Sequence, residues 1–283
     1  MPWLLRADAS TTCVRVVTTK AVILARGLGT RMRKPSDGVA LDADQAAAAD
    51  RGMKGMIPVG RPFMDYLISA LADAGLAEVC LVIGPEHDGV RTHYSGAGAP
   101  TRVRLHFAVQ ATPLGTADAV LAAERFAGDD SFIVLNSDNY YPVDALTALR
   151  GTPAPAVVGF ERTALVRLGN VPSDRVARFG ALEVGPHGAL RRILASPTPE
   201  MARGEVLASL NCWSFTSDIF RACREVQPSA RGELELPQAV QLAIDRMGMH
   251  MTVIPMRAAV LDMSSRNDIA SVKERLSSVT VRL

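Results

Sequence analysis

The sequence predicts an α/β protein built on a doubly wound, mostly parallel sheet. In its first half, short apolar runs typical of strands alternate with segments whose apolar residues recur at helical spacing. A glycine-rich loop follows directly after the first of these runs. The chain has 283 residues, 48% of them hydrophobic, which is enough to bury a large core. Alternation of this kind implies right-handed βαβ units, whose ligand sites lie at the carboxyl ends of the strands.

Local patterns place the individual elements. The segment 62–74 has apolar residues at helical spacing, a proline suited to the first turn and Gly75 just past its end. The run 79–83 is continuously apolar, as expected of a strand that is covered on both faces. The same reasoning predicts strands at 21–25, 103–109, 132–135, 156–160, 180–184 and 206–215, and helices at 116–126, 217–226, 235–247 and 266–276.

Composition and charge exclude several classes of protein. The formal net charge is +2, from 31 basic and 29 acidic residues, which gives no electrostatic case for a nucleic-acid partner. No apolar run reaches the roughly 18 residues that a membrane span needs. The four cysteines have no Cys-x-x-Cys spacing, and residues 1–18 lack the apolar core of a signal peptide. We therefore expect a cytoplasmic protein with reduced thiols and an N-terminal extension, and leave homo-oligomerisation open.

The glycine loop is suited to phosphate binding. Gly27 and Gly29 let the main chain approach a phosphate closely, and successive N–H groups in such a loop form an anion nest. Arg31 adds planar, permanently charged donors. A Walker A loop is excluded because Gly-Lys-Ser/Thr is absent from the sequence. A dinucleotide fingerprint is disfavoured because Met32 stands where a small residue is needed, and the acidic Asp50 lies in an alanine-rich polar stretch.

The loop and the segments after it resemble the signature of the sugar-1-phosphate nucleotidylyltransferases. Gly27-Leu28-Gly29-Thr30-Arg31-Met32 matches the phosphate loop of that family, and Lys54-Gly55-Met56-Ile57-Pro58-Val59 matches its Lys-x-x-x-Pro-Val segment. Further matches follow in the family's order over roughly residues 19–275. They are a base-reading segment at 110–117, a strand end with a metal-binding Asp at 135–139, a sugar-side loop at 178–180, a Gly-Glu-x-Glu segment at 231–236 and a late strand with a second metal-binding Asp at 261–263.

The resemblance implies a Rossmann-like nucleotidyltransferase fold and a Mg²⁺-dependent reaction. A nucleoside monophosphate would pass from a nucleoside triphosphate, with dTTP or UTP favoured, to a sugar 1-phosphate, and pyrophosphate would leave. The implied catalytic residues are Arg31, Lys54 and Asp138, and the implied metal ligands are Asp138 and Asp262. The implied nucleotide-binding residues are Leu24, Gly27, Gly29, Thr30, Arg31, Gln110, Gly115 and Thr116, and the implied acceptor-binding residues are Gly180, Asn211, Glu233 and Arg192.

The resemblance also suggests how the chain is organised. We expect a single nucleotidyltransferase domain over 19–283, with a nucleotide-binding half at 19–144 and a sugar-phosphate-binding half at 145–283. The spacer at 35–53 is longer than the family usually has. Its run of alanines predicts an added helix or a lid beside the phosphate loop.

Two further departures concern the ligands. Arg26 stands where the family usually has Gly or Ala. Ala195-Ser196 replaces the Glu-Lys pair that contacts the sugar and its phosphate, and Arg191 or Arg192 could supply the missing cation. These departures leave two alternatives open: a guanylyltransferase acting on a mannose-like or cyclitol phosphate, and a non-catalytic nucleotide-sugar sensor.

Overall fold

A nine-stranded sheet forms the centre of the protein, and two short strands form a second sheet. The structure is a computed structural model that describes residues 17–36, 39–194, 197–198 and 206–283. The strands are β1 Lys20–Leu24, β2 Glu78–Ile83, β3 Arg104–Val109, β4 Phe132–Asn136, β5 Asn139–Tyr140, β6 Ala156–Phe160, β7 Ala181–Val184, β8 Leu190–Leu194, β9 Leu207–Phe215, β10 Thr252–Met256 and β11 Leu261–Asp262. The helices are α1 Thr30–Arg33, α2 Ala43–Arg51, α3 Phe63–Asp73, α4 Asp88–Ser95, α5 Thr116–Ala122, α6 Glu124–Ala127, α7 Val143–Gly151, α8 Arg162–Leu168, α9 Ser173–Val176, α10 Ile219–Glu225, α11 Leu236–Met247 and α12 Asp268–Leu276.

The central sheet is mostly parallel, as the sequence predicts. In the order β10-β6-β9-β4-β1-β2-β3, each neighbouring pair is parallel except the two that contain β9. β9 runs antiparallel to β4 and β6, and it also pairs antiparallel with β7, which forms a hairpin with β8. This antiparallel part was not predicted, because an apolar run indicates that a strand exists but not its direction.

Helices cover both faces of the sheet. Along β1, Ala21 and Ile23 contribute to one apolar cluster, whereas Val22 and Leu24 contribute to another. This alternation is the two-residue period of a strand whose two faces are both buried. The first cluster contains buried residues of α3 and α7, and the second contains buried residues of α5, α10 and α11. The doubly wound arrangement is therefore confirmed.

Most predicted elements end within one or two residues of the observed bounds. The exception is the helix expected at 116–126, which is divided into α5 and α6 because Ala123 leaves helical geometry at φ −91° and ψ 1°. The sequence analysis missed several short elements that lack a strong apolar period: α4, α7, α8, α9, β5, β8 and β10. The late strand that the resemblance implies at 261–263 is present as β11.

The insertion after the glycine loop contains a helix, as predicted. α2 begins at a capping box between Asp42 and Gln45. Its buried alanines join a third apolar cluster with residues of α1 and α12. Arg266, just before α12, donates from Nε to the carbonyl of Met32 at 2.9 Å and also pairs with Asp50 of α2. Helix α2 is therefore anchored to the glycine loop and to the last helix.

Three cysteines are buried within the described part of the chain. Cys80, Cys212 and Cys223 are buried free thiols, and burial raises the pKa of Cys80 and Cys223 to about 12. Cys13 lies outside the described residues.

Among the helices of the described ranges, none has both the length and the apolarity that crossing a membrane would require.

Candidate active site

Two adjoining clefts lie at the carboxyl ends of the parallel strands. The larger has a volume of about 220 Å³ and the smaller about 170 Å³. Asn136, which ends β4, and Asp138 line both of them. Of the residues predicted from the sequence, the larger cleft brings together Leu24, Gly27, Lys54, Gln110, Gly115, Thr116, Asp138 and Glu233. The smaller cleft brings together Arg31, Asp138, Asn211 and Asp262.

The glycine loop is shaped by a close contact between two backbone segments. Gly29 adopts a left-handed φ of 60°, and a Cβ atom there would lie 2.4 Å from the carbonyl oxygen of Gly52. Gly27 is in open space and lines the larger cleft. Thr30 begins α1 and is exposed, and Arg31 lines the smaller cleft. The loop therefore presents Gly27 to the larger cleft, while Gly29 and Thr30 line neither cleft.

Replacing Gly29 with Ala should destabilise the protein by about 2–3 kcal/mol, because a left-handed alanine costs about 1–2 kcal/mol and the added methyl group overlaps Gly52. The matched control is Gly27→Ala, whose Cβ atom would meet nothing within 4 Å. Thermal and urea unfolding would measure both variants. Equal midpoints for the two variants would show that the packing of Gly29 against Gly52 is not required for stability.

Lys54 and Asp138 form an ion pair in the larger cleft. The short 3-10 turn Lys54–Met56 carries the lysine, and the segment after β4 carries the aspartate. Lys54 Nζ donates to Asp138 Oδ2 at 2.7 Å, and both side chains are largely shielded from solvent. The pair places a cation directly beside the carboxylate that the two clefts share. The sequence alone predicted both residues but not their contact.

The two-stranded sheet brings the second predicted metal ligand to the site. β11 pairs antiparallel with β5, so that Asp262 lies opposite Asn139. Asn139 Nδ2 donates to Asp262 Oδ2 at 3.3 Å, and the backbone N–H of Ser264 donates to Asp262 Oδ1 at 3.1 Å. Burial raises the pKa of Asp262, and the negative charge of Asp138 raises it further. The two carboxylates line the same small cleft, and the charge of one disfavours ionisation of the other.

Arg175 is a site residue that the sequence analysis missed. Its guanidinium donates to Asp262 Oδ1 at 2.8 Å and to both carboxylate oxygens of Asp268, at 3.0 and 3.1 Å. All three side chains are mostly buried. Arg175 lies on the four-residue helix α9, 87 residues before Asp262 in the chain, and no local pattern marks it. It holds one of the two cleft carboxylates in place.

The chemistry of the donors fits a magnesium ion. Asp138 and Asp262 are two carboxylates that line the same small cleft and repel one another, which a divalent cation between them would relieve. Within the described residues, no cluster of three or more His, Cys, Asp or Glu side chains is arranged to hold a metal. A site with two carboxylates is what Mg²⁺ commonly uses, because waters and substrate phosphates fill its other positions.

The segment 110–117, for which the resemblance implies base reading, is joined to the Gly-Glu-x-Glu segment by main-chain hydrogen bonds. Leu234 donates its N–H to the carbonyl of Leu114 and accepts from the N–H of Ala117, each at 2.8 Å. Thr116 Oγ1 accepts from the N–H of Leu236 at 2.8 Å. These bonds bring Glu233 to the wall of the larger cleft, beside the predicted nucleotide residues. The resemblance implies an acceptor-binding role for Glu233, whereas the structure places it in the cleft of the predicted nucleotide residues.

The residues predicted for the acceptor are more dispersed. Asn211 lines the smaller cleft and has a left-handed φ of 54°, which asparagine tolerates better than most residues. Gly180 follows Phe179, which lines the same cleft. Arg192 lies on β8 opposite Glu183 and lines neither cleft. Ala195 and Ser196, where the family resemblance breaks, lie outside the described residues.

Comparison with known proteins establishes the family of the chain. A sequence model of the family described as nucleotidyl transferase matches residues 20–277, and the chain belongs to that family. A UTP–glucose-1-phosphate uridylyltransferase of Haloferax volcanii is 28% identical over 269 residues, which are 93% of this chain and 98% of that protein. A glucose-1-phosphate thymidylyltransferase of Streptomyces antibioticus is 31% identical over 229 residues, which are 80% of this chain.

One solved structure has a similar fold, and the chain spans only part of the length of two relatives. The crystal structure of UDP-glucose pyrophosphorylase complexed with UDP-glucose has a TM-score of 0.71 at 18% identity, and the match covers 93% of this chain and 100% of that one. This similarity confirms the nucleotidyltransferase fold of the chain. The aligned region spans 57% of the length of the Streptomyces antibioticus relative. A low-salt glycan biosynthesis nucleotidyltransferase of Haloferax volcanii is 25% identical, and the aligned region spans 57% of its length too.

Proposed function

We propose that the protein transfers a nucleoside monophosphate from a nucleoside triphosphate to a sugar 1-phosphate and releases pyrophosphate. The observation that carries this proposal is the position of Asp138. This residue lines both clefts, and its Oδ2 accepts a hydrogen bond from Lys54 Nζ at 2.7 Å. Such a transfer requires two anionic reactants to meet at one point, and the boundary of the two clefts is suited to that. The family and the names of the relatives support the same reaction.

The larger cleft is suited to the nucleoside triphosphate. The glycine loop offers main-chain N–H groups, and Lys54 offers a cation to the phosphate oxygens. The sugar phosphate oxygen would attack the α-phosphorus in line, and no covalent protein intermediate is needed. The protein's contribution is therefore to align two polyanions and to neutralise their charge. The names of the relatives favour UTP or dTTP as the donor.

The smaller cleft is suited to the phosphorylated acceptor. Arg31 supplies a planar cation at its wall, and Asn211 supplies an amide. Ser209 also lines it, and its buried hydroxyl has no hydrogen-bond partner among the described residues. A buried hydroxyl without a partner is costly unless a ligand satisfies it. These groups together are suited to a phosphate and to sugar hydroxyls.

We further propose that the reaction requires Mg²⁺, held by Asp138 and Asp262. When bound, the ion would supply positive charge to the phosphate oxygens as negative charge develops during the transfer. Arg175 and Asn139 would hold the carboxylate of Asp262 in position. Lys54 would hold that of Asp138.

Pyrophosphate release tests this function. The protein would be incubated with each of UTP, dTTP, GTP, CTP and ATP, crossed with glucose 1-phosphate, mannose 1-phosphate and a cyclitol phosphate. We expect acceptor-dependent release with UTP or dTTP in the presence of Mg²⁺, and loss of release when EDTA is added. Tight binding of a nucleotide without pyrophosphate release for any pair of nucleotide and sugar phosphate would instead indicate a nucleotide-sugar sensor. Preference for GTP would indicate a guanylyltransferase.

We also propose a cytoplasmic location. Three buried cysteines remain as unpaired thiols, which is typical of proteins in a reducing compartment.

A further inference from the structure

Gln110 is fixed at the wall of the larger cleft by its own side-chain amide. It follows β3 and is only 4% exposed. Its Nε2 donates to the carbonyl of Gly115 at 3.0 Å and to Asp118 Oδ2 at 2.7 Å. Both partners can only accept, so both amide hydrogens are already used. Asp118 lies in the first turn of α5 and was not singled out by the sequence.

The two acceptors determine which way the amide points. If the amide turned over, Oε1 would face the carbonyl of Gly115 and the carboxylate of Asp118, and both hydrogen bonds would be replaced by repulsion between oxygens. Oε1 is therefore the group that Gln110 retains for a ligand in the cleft. A carbonyl oxygen can accept a hydrogen bond but cannot donate one.

The main chain of Gln110 is also held in place. Its N–H donates to the carbonyl of Ile83 at 2.9 Å. Its own carbonyl accepts from Nη1 of Arg26, whose guanidinium contacts both oxygens of Glu86 at 3.3 Å. Arg26 is one of the residues that depart from the family pattern. Because backbone and side chain are both fixed, Gln110 presents an acceptor at a fixed position.

We propose that Asp118 is a positioning residue that sets the base preference of the nucleotide cleft by orienting Gln110. The acceptor that Asp118 enforces pairs with a ring N–H, which uracil, thymine and guanine carry. It disfavours cytosine and adenine, whose corresponding ring nitrogen is itself an acceptor. A site built around one hydrogen bond discriminates strongly against a base that leaves its polar group unpaired. This inference rests on the proposed function, since it takes the larger cleft as the nucleotide site.

The test compares UTP with CTP, which differ on the edge of the base where the acceptor would pair. Dissociation constants for both would be measured by titration calorimetry with the wild type, Asp118→Asn and Asp118→Ala. Alanine removes the acceptor at position 118 and leaves only the carbonyl of Gly115 to orient the amide, whereas asparagine has the shape of aspartate and can still accept through its oxygen. We expect the wild type to prefer UTP, and the ratio of the dissociation constant of CTP to that of UTP to fall about tenfold in Asp118→Ala, the effect of about one hydrogen bond.

Asp144→Asn is the matched control, because Asp144 is an exposed acid in the first turn of α7. It should leave the ratio unchanged. Asp118→Asn can keep an oxygen acceptor for Gln110, should lower the ratio less, and provides a second reading if Asp118→Ala folds poorly. An unchanged ratio in both Asp118 variants, with UTP and CTP weakened equally, would overturn the inference and assign Asp118 a structural role only.

The outcomes also separate this inference from the proposed function. If the wild type binds UTP in preference to CTP but releases no pyrophosphate with any acceptor, the proposed reaction is wrong and the positioning role is still decided by the ratio. If pyrophosphate is released but CTP is used as well as UTP, the reaction stands and the inference fails. Binding of neither nucleotide would overturn both.

Discussion

Replacing Asp138 with Asn should lower turnover at least about 100-fold, because it removes charge stabilisation at the point where the reactants meet. The carboxylate lies at the boundary of the two clefts and accepts a hydrogen bond from Lys54. Asparagine has nearly the same shape, so packing around it should change little. The measurement is the rate of pyrophosphate release at saturating substrate, with the unfolding midpoint recorded for the same sample.

The control for Asp138→Asn is Asp144→Asn, an exposed acid six residues further along the chain. Its rate should match that of the wild type. Lys54→Met should slow the reaction and also weaken the binding of triphosphate, because it removes the cation beside Asp138. If Asp138→Asn keeps a rate within a few-fold of the wild type, the assignment of Asp138 to the reaction centre is wrong.

Replacing Arg175 with Met should destabilise the protein by roughly 3–5 kcal/mol, the usual effect of removing one partner from a buried ion pair. The guanidinium contacts Asp262 and Asp268, whose side chains are only 7% and 6% exposed. Without it, two buried carboxylates lack their cation. The matched control is Arg178→Met, because Arg178 pairs with Asp174 at a site where both side chains are 73% exposed. That variant should change the free energy of unfolding by less than about 1 kcal/mol.

The effect of Arg175→Met should also depend on pH. Burial and Asp138 already raise the pKa of Asp262, and removing Arg175 takes away one of the groups that lower it. A carboxyl whose pKa is raised by folding stabilises the folded state when it is protonated, and that stability is lost as pH rises through the folded pKa. The deficit of Arg175→Met should therefore shrink as pH is lowered from neutral towards about 4, the usual range of an aspartate. A deficit that is constant over this range would contradict the buried-charge explanation.

The parts of the site that follow apolar strands could be predicted from the sequence. The glycine loop comes directly after β1, Gln110 after β3 and Asp138 after β4, and the carboxyl ends of parallel strands meet at one edge of a sheet. Lys54 and Asp262 were predicted by their order in the family pattern. The helix of the insertion was predicted because alanine is a strong helix former.

The parts that depend on distant contacts could not be predicted in this way. Arg175 acts on residues 87 and 93 positions away, and its own helix has four residues and no apolar period. The direction of β9 follows from its pairing with β4, β6 and β7, which its apolar sequence does not encode. Asp118 is typical of the first turn of a helix, and only its contact with Gln110 reveals a further role.

The transfer of labelled nucleotide tests the central claim most directly. The protein would be incubated with Mg²⁺, a sugar 1-phosphate and UTP or dTTP that carries ³²P at the α-phosphate in one sample and at the γ-phosphate in another. We expect the α-label to appear in a product with the mass of a nucleoside diphosphate sugar, and the γ-label to appear in pyrophosphate. Label that stays in the nucleoside triphosphate, or an α-label released only as nucleoside monophosphate, would contradict the assignment.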